Sequence, residues 1–112
     1  MGSGVFMGCY KQLNTINIPA GLSVIPKEIF MDCPLMSIVI PETITAIGDT
    51  AFHGCEELTE VYYEGTEEKW NILTIGYNND FLISATRYYY SESQPTTSGN
   101  YWHYVNGVPT KW

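Results

Sequence analysis

Three cysteines, each closing the same four-residue figure, are the first residues in this chain whose chemistry could matter. Phe6–Cys9 reads Phe-Met-Gly-Cys, Phe30–Cys33 reads Phe-Met-Asp-Cys, and Phe52–Cys55 reads Phe-His-Gly-Cys. Repeated thiols could hold zinc, pair as disulfides, or work as a nucleophile with His53 or His103. Zinc asks for convergent tetrahedral ligands, and neither His-x-x-x-His nor Glu-x-x-His spacing accompanies the cysteines. Three cysteines also leave one without a disulfide partner. Glu56, Glu57, Glu60, Glu64, Glu67 and Glu68 crowd one stretch. They lack the ligand order of a calcium loop and read as a solvated face. Gly-x-Ser-x-Gly and a glycine-rich phosphate loop are both absent, so no catalytic, metal or cofactor residues are expected and the chain reads as a non-enzyme.

Composition narrows the classes further. The net charge is −7, and Lys11, Lys27, Lys69, Arg87 and Lys111 are the only cations, which argues against nucleic acid as a partner. No apolar run approaches the ~20 residues that span a bilayer. At 112 residues, with nine Tyr, three Trp and four Phe, the chain reads as one folded domain. Met1–Gly4 (Met-Gly-Ser-Gly) reads as an expression scar. Val5-Phe6 then enters in the middle of a pattern completed later, so a piece of a longer protein is expected.

That pattern explains the cysteines. Ile18-Pro19 and Ile40-Pro41 lie 22 residues apart, and each proline precedes its phenylalanine, Phe30 or Phe52, by 11. Leu22, Ile25 and Ile29 match Ile44, Ile47 and Ala51. Leu13, Ile16 and Ile18 match Leu35, Ile38 and Ile40, then Leu58, Val61 and Tyr63. Leu-x-x-Ile-x-Ile is the strand signature of a leucine-rich repeat. Alternation sends Ile16/Ile18, Ile38/Ile40 and Val61/Tyr63 inward, and Asn17, Val39 and Tyr62 outward. Pro19 and Pro41 end the first two strands. Asp49–Gly54 reads as a short helical turn with Asp49 as its N-cap. Each copy is then one coil of a solenoid, and Cys9, Cys33 and Cys55 form a column. Parallel Cβ vectors suit neither a disulfide nor zinc, so the cysteines read as small buried hydrophobes.

The run from Ile40 to Val61 (Ile-Pro-x-x-Ile-x-x-Ile-Gly-x-x-Ala-Phe-x-Gly-Cys-x-x-Leu-x-x-Val) closely resembles the BspA-type (Treponema pallidum-type) leucine-rich repeat. The second copy departs from it at Pro26, where glycine is usual, and at Asp32. Residues 66–112 resemble the C-terminal segment that follows such repeats in surface proteins of gut Firmicutes. The resemblance implies an extracellular or cell-surface location and adhesion or host-protein binding, with no catalytic residues. The expected fold is a mostly β α/β solenoid. It has short parallel strands on the concave face, short helical turns on the convex face, and a C-terminal cap of helix plus β-hairpin. Residues 5–65 hold three repeat units, the first truncated, and residues 66–112 the cap.

Within the cap, Thr66 is placed to N-cap a helix over Glu67–Leu73, with Trp70 facing the core. A loop without periodicity follows through Gly76 to Asp80. Residues 85–91 read as a strand on aromatic content. Asn106-Gly107 reads as a hairpin turn joining Tyr101–Val105 to Val108–Trp112. Two binding surfaces are candidates. Thr15, Asn17, Ser37, Val39, Glu60 and Tyr62 line the outward sheet face, for a protein partner. Tyr89, Tyr101, Trp102, His103 and Tyr104 form an aromatic set that either packs the cap or stacks on a glycan. The first strand is an expected open edge, through which a homodimer could form.

Overall fold

The computed structural model describes residues 13–18, 21–33 and 35–112, with the backbone alone for 13–17. The Leu-x-x-Ile-x-Ile copies become β1 (Leu13–Asn17), β3 (Leu35–Ile40) and β5 (Glu60–Tyr63), paired in parallel. Register aligns Ile16 with Ile38 and Val61, and Ile40 with Tyr63. Leu35, Ile38, Ile40, Val61 and Tyr63 are buried in one core. The repeat register thus stacks like on like, which lets each ladder bond form without exposing an apolar column.

Past each strand the chain turns and a second, narrower sheet forms from β2 (Val24–Ile25), β4 (Ala46–Ile47) and β6 (Thr74–Ile75), again parallel. Ile25 and Ile47 point from it into the same core. The sequence pattern gave no sign of this sheet, because two-residue strands are too short to alternate visibly. Its third strand lies beyond the last copy legible in the sequence. The coil-on-coil register therefore continues into a stretch that carries neither Phe-x-Gly-Cys nor Ile-Pro.

The expected helical turns on the convex side are instead successive tight turns. Ala51 N–H donates to the Gly48 carbonyl, His53 to Thr50, and Cys55 to Phe52. Alternate amides point sideways and bond the next coil: Glu28 N–H to the Asp49 carbonyl, Phe30 to Ala51 (2.9 Å), Asp32 to His53 (2.8 Å) and Thr50 to Tyr77 (2.8 Å). A helix would consume those donors within the coil, so lateral bonding excludes it. Glu28, Thr50 and Asp32 adopt positive φ to achieve this, and Gly54 does so at φ 77°. Asp49 caps nothing in its own coil; its Oδ1 accepts from Tyr77 N–H of the next. Coil contact here is backbone on backbone. A Cβ on Gly48 would lie 2.4 Å from the Lys27 nitrogen.

The cysteine column behaves as packing. Cys33 and Cys55 are fully buried beside the stacked rings of Phe30 and Phe52, 5.2 Å apart. Cys55 Sγ donates to the Phe30 carbonyl. Cys9 and the first, truncated copy lie outside the described residues, as does whatever adjoins the β1 edge.

The remaining chain is more varied than a helix and a hairpin. Thr66 Oγ1 accepts from Lys69 N–H at the start of α1 (Glu67–Asn71). The helix stops short of Leu73, whose N–H closes a tighter turn on Trp70 so that β6 can follow. Trp70 is buried edge-on to Tyr63, with the Arg87 guanidinium 4.7 Å over its ring. A second short helix, α2 (Asp80–Ser84), replaces part of the expected loop and buries Leu82. β7 (Thr86–Tyr90) and β8 (Tyr101–Val105) extend the main sheet in parallel, and β9 (Val108–Lys111) closes it antiparallel. Asn106 and Gly107 both take positive φ, as a two-residue hairpin turn requires.

Asn79 ends the lateral bonding of the turn column. It is 1% exposed and follows the third strand of the narrow sheet. Its Oδ1 accepts from Phe52 N–H (2.9 Å), where an Ala51-like carbonyl would otherwise stand, and its Nδ2 donates to the Gly48 and Gly76 carbonyls. Asn79→Ala is expected to destabilise the fold by about 1–3 kcal/mol, since it removes the acceptor of the buried Phe52 N–H and the side-chain donor to the Gly48 and Gly76 carbonyls. Urea unfolding would show this; an unchanged midpoint would contradict the latch role.

Candidate functional site

Strand alternation on the main sheet sets Ser37, Val39, Glu60 and Tyr62 on the face away from the repeat core, as expected. They are not, however, an open surface. Val39 is 2% exposed, Tyr62 and Ser37 each 7%. Tyr88 and Tyr90 from β7 and Trp102 and Tyr104 from β8 fill the same side and form a second apolar cluster with Val39 and Tyr62. Trp102 is fully buried and edge-on to Tyr62 at 5.3 Å. Its Nε1–H reaches across β7 to the Tyr63 carbonyl on β5 (2.8 Å). Such reach requires the sheet to curl tightly, because strands two apart in a flat sheet lie about 9–10 Å from each other. Thr15 and Asn17 lie on β1 in register with Ser37 and Val39.

The aromatic candidates part company. Trp102 belongs to the inner cluster and can meet no ligand. Tyr104 stands at the cluster's rim. Tyr89 is half-buried and accepts from Arg87 Nε, and Tyr101 shares a hydrogen bond with Thr97 on the opposite face. His103 stacks on Trp112 at 3.7 Å. They do not form one platform, because alternation along β8 divides them between two faces of a sheet.

Two carboxylates bracket the inner cluster. At the N-terminal end of β5, Glu60 accepts from Tyr62 Oη (2.8 Å) and pairs with Lys111, whose ammonium also lies 5.2 Å over the Tyr88 ring. Burial alone would raise the Glu60 carboxyl, but the hydrogen bonds from Lys111 and Tyr62 outweigh it and hold the group below its ordinary 4.5. The Glu60 hydrogen bond pushes Lys111 upward. Burial, aided by Glu60, pushes Tyr62 up to about 12. Just past the other end of β5, Glu64 accepts from Tyr104 Oη (2.6 Å). Burial and this carboxylate push Tyr104 upward as well.

Glu64 opens onto a depression in the described surface. This groove of about 300 Å³ is lined by Glu42, Glu64, Tyr90 and Tyr104. Glu42 also receives Lys69 (3.3 Å) and borders a second hollow with Tyr63 and Ile72. Tyr90 is shared with a third, about 200 Å³, where Glu67, Glu68, Tyr89 and Tyr101 converge. Glu42, Glu64, Tyr90 and Tyr104 lie at or just past the C-terminal ends of β3, β5, β7 and β8. Glu42 and Tyr90 escaped the sequence reading; alternation from Tyr88 to Tyr90, and the slot just past each strand, were the available signals. Among the described residues no group of three His, Cys, Asp or Glu side chains could hold a metal.

In comparisons with known proteins, the family model of the BspA type leucine rich repeat region, in six copies, matches residues 1–80. No curated protein matches. A crystal structure of a leucine rich cell surface protein from Faecalibacterium prausnitzii A2-165 is similar, at 25% identity and a TM-score of 0.53. The similarity covers 73% of this chain and 27% of that one, so the chain spans about a quarter of its relative.

Two outcomes follow from the inner cluster. Trp102→Ala should cost about 3–5 kcal/mol in urea unfolding, and Trp102→Phe should cost less; equal stability of all three proteins would place the indole outside the core. The raised tyrosines stabilise the fold fully below their ordinary pKa of 10.0, and that contribution is lost as pH climbs through the folded values, about 12 for Tyr62. At the acid end, Glu60 contributes above pH 4.5 and its share is lost as pH falls through its lowered value. Tyrosinate absorbance should therefore show some of the nine tyrosines protonated until the chain unfolds. Complete titration near pH 10 with native circular dichroism would refute this.

Proposed function

Because the chain belongs to the BspA type leucine rich repeat family, we propose that it serves as a non-catalytic protein-interaction module of a bacterial surface or secreted protein, in adhesion to a host or bacterial protein. The observation that carries the reading, beyond the family, is the covering of the concave face. With Val39 and Tyr62 sealed under the chain's own aromatics, the rim groove of Glu42, Glu64, Tyr90 and Tyr104 is the surface favoured for a partner. A cell-surface title on the similar structure supports the compartment. Glycan binding through the aromatic set loses its best residue, since Trp102 is buried. A capping role for residues 66–112 is compatible with this reading, because the same strands that close the sheet build the groove.

Surface plasmon resonance against purified host matrix and bacterial surface proteins, run beside a glycan array, tests the reading. A protein ligand should appear, and its affinity should survive Val39→Thr, which alters only the covered face. Binding confined to glycans would overturn the proposal.

A further inference from the structure

The two ends of β5 present the same chemistry, and among the described residues only one end holds a cation. At the first end, a tyrosine hydroxyl takes one oxygen of a glutamate (Tyr62 on Glu60 Oε1), and the other oxygen holds the Lys111 ammonium over the face of Tyr88. At the second end, a tyrosine hydroxyl takes one oxygen of Glu64 (Tyr104 on Oε2), and Tyr90 stands beside it in the groove. The correspondence is built into the register. Tyr62 pairs with Tyr88, and two residues further along each strand come Glu64 and Tyr90. Period-two alternation carries Glu60, Tyr62 and Glu64 along one side of the sheet, and Tyr88 and Tyr90 along the same side. Among the described residues, the two ion pairs are Lys69–Glu42 and Lys111–Glu60. No cation of the described residues lies against Glu64.

We propose that the groove of Glu42, Glu64, Tyr90 and Tyr104 receives a lysine side chain from a basic segment of the partner protein, in the way Glu60 and Tyr88 receive Lys111. The proposal rests on the interaction-module reading above and names that partner's chemistry. Of the two groove carboxylates only Glu42 is paired, with Lys69, so an incoming cation cancels charge that a neutral sugar would leave to be desolvated. The tyrosine rings offer their negative faces to the same cation. The adjoining hollow, walled by Tyr90 and carrying Glu67 and Glu68, favours a run of basic residues over a single one. A net charge of −7 steers such a segment toward the surface.

The probe is a short capped peptide alternating lysine with glycine, titrated by fluorescence anisotropy at low salt. Its Nε-acetylated form and a neutral oligosaccharide serve as comparisons. The lysine peptide should bind, and its affinity should fall steeply as salt rises. Glu64→Gln, which keeps an acceptor for Tyr104 and so preserves the fold, should weaken it about fivefold or more. Tyr90→Leu should do likewise, whereas Glu57→Gln, on an exposed turn elsewhere, should change it less than about twofold. Equal losses for Glu57→Gln and Glu64→Gln would reduce the effect to diffuse attraction and overturn the site. Equal binding of the acetylated peptide or the oligosaccharide would overturn the lysine assignment. A protein ligand found by plasmon resonance whose affinity ignores Glu64→Gln would leave the interaction module standing and refute the groove alone.

Discussion

Lateral backbone hydrogen bonding between coils is the constraint on which the rest of the molecule depends. It runs through both sheets and also through the turn column, where it takes up amides a helix would otherwise use. Coils stacked about 4.8 Å apart bring equivalent side chains into contact. Every slot in the repeat must therefore tolerate its own copy as a neighbour. Leucine and isoleucine do so in the core, phenylalanines by stacking, and cysteine because it is small and weakly polar. Where the backbones come closest, at Gly48 against Lys27, there is no room for a side chain.

A structure made of lateral bonds has to end them. Asn79 does this for the turn column by offering an amide side chain in place of the next coil's backbone. For the main sheet the solution is curvature: β7 and β8 add in parallel, the sheet bends, and Trp102 drops into the bend to bond the Tyr63 carbonyl. β9 then finishes the edge with Pro109, which offers no amide for further pairing. Closing the sheet and shaping the rim groove are thereby coupled. Filling the concave face removes the surface an open sheet would present, and the displaced tyrosines build a new one at the rim with Glu42 and Glu64.

The strands β1, β3 and β5 could be read from sequence because their signal is periodic and local. Thr66 and Asn106-Gly107 were legible for the same reason: caps and hairpin turns are decided by neighbouring residues. The turns were misread as helical because Asp49–Gly54 carries good helix punctuation, and nothing local announces that its amides are claimed by another coil. Asn79 looked like one of several loop polar residues, since two of its three partners, Gly48 and Phe52, lie on the preceding coil about 30 residues back. The candidate binding face had the correct side assigned, yet Val39 and Tyr62 are buried, because burial there depends on Trp102, 40 residues or more along the chain.

The sequence by itself determined the repeat, the family, the inward and outward sides of β3 and β5 and the packing role of Cys33 and Cys55. These follow from alternation and from like residues recurring at matched positions. Only the tertiary structure decided which outward residues meet solvent, where the coils stop, and that Glu42, Glu64, Tyr90 and Tyr104 share a groove. Those outcomes depend on how far the sheet curls. Curl is a cumulative property of all six strands and their packing, so no short window of residues encodes it.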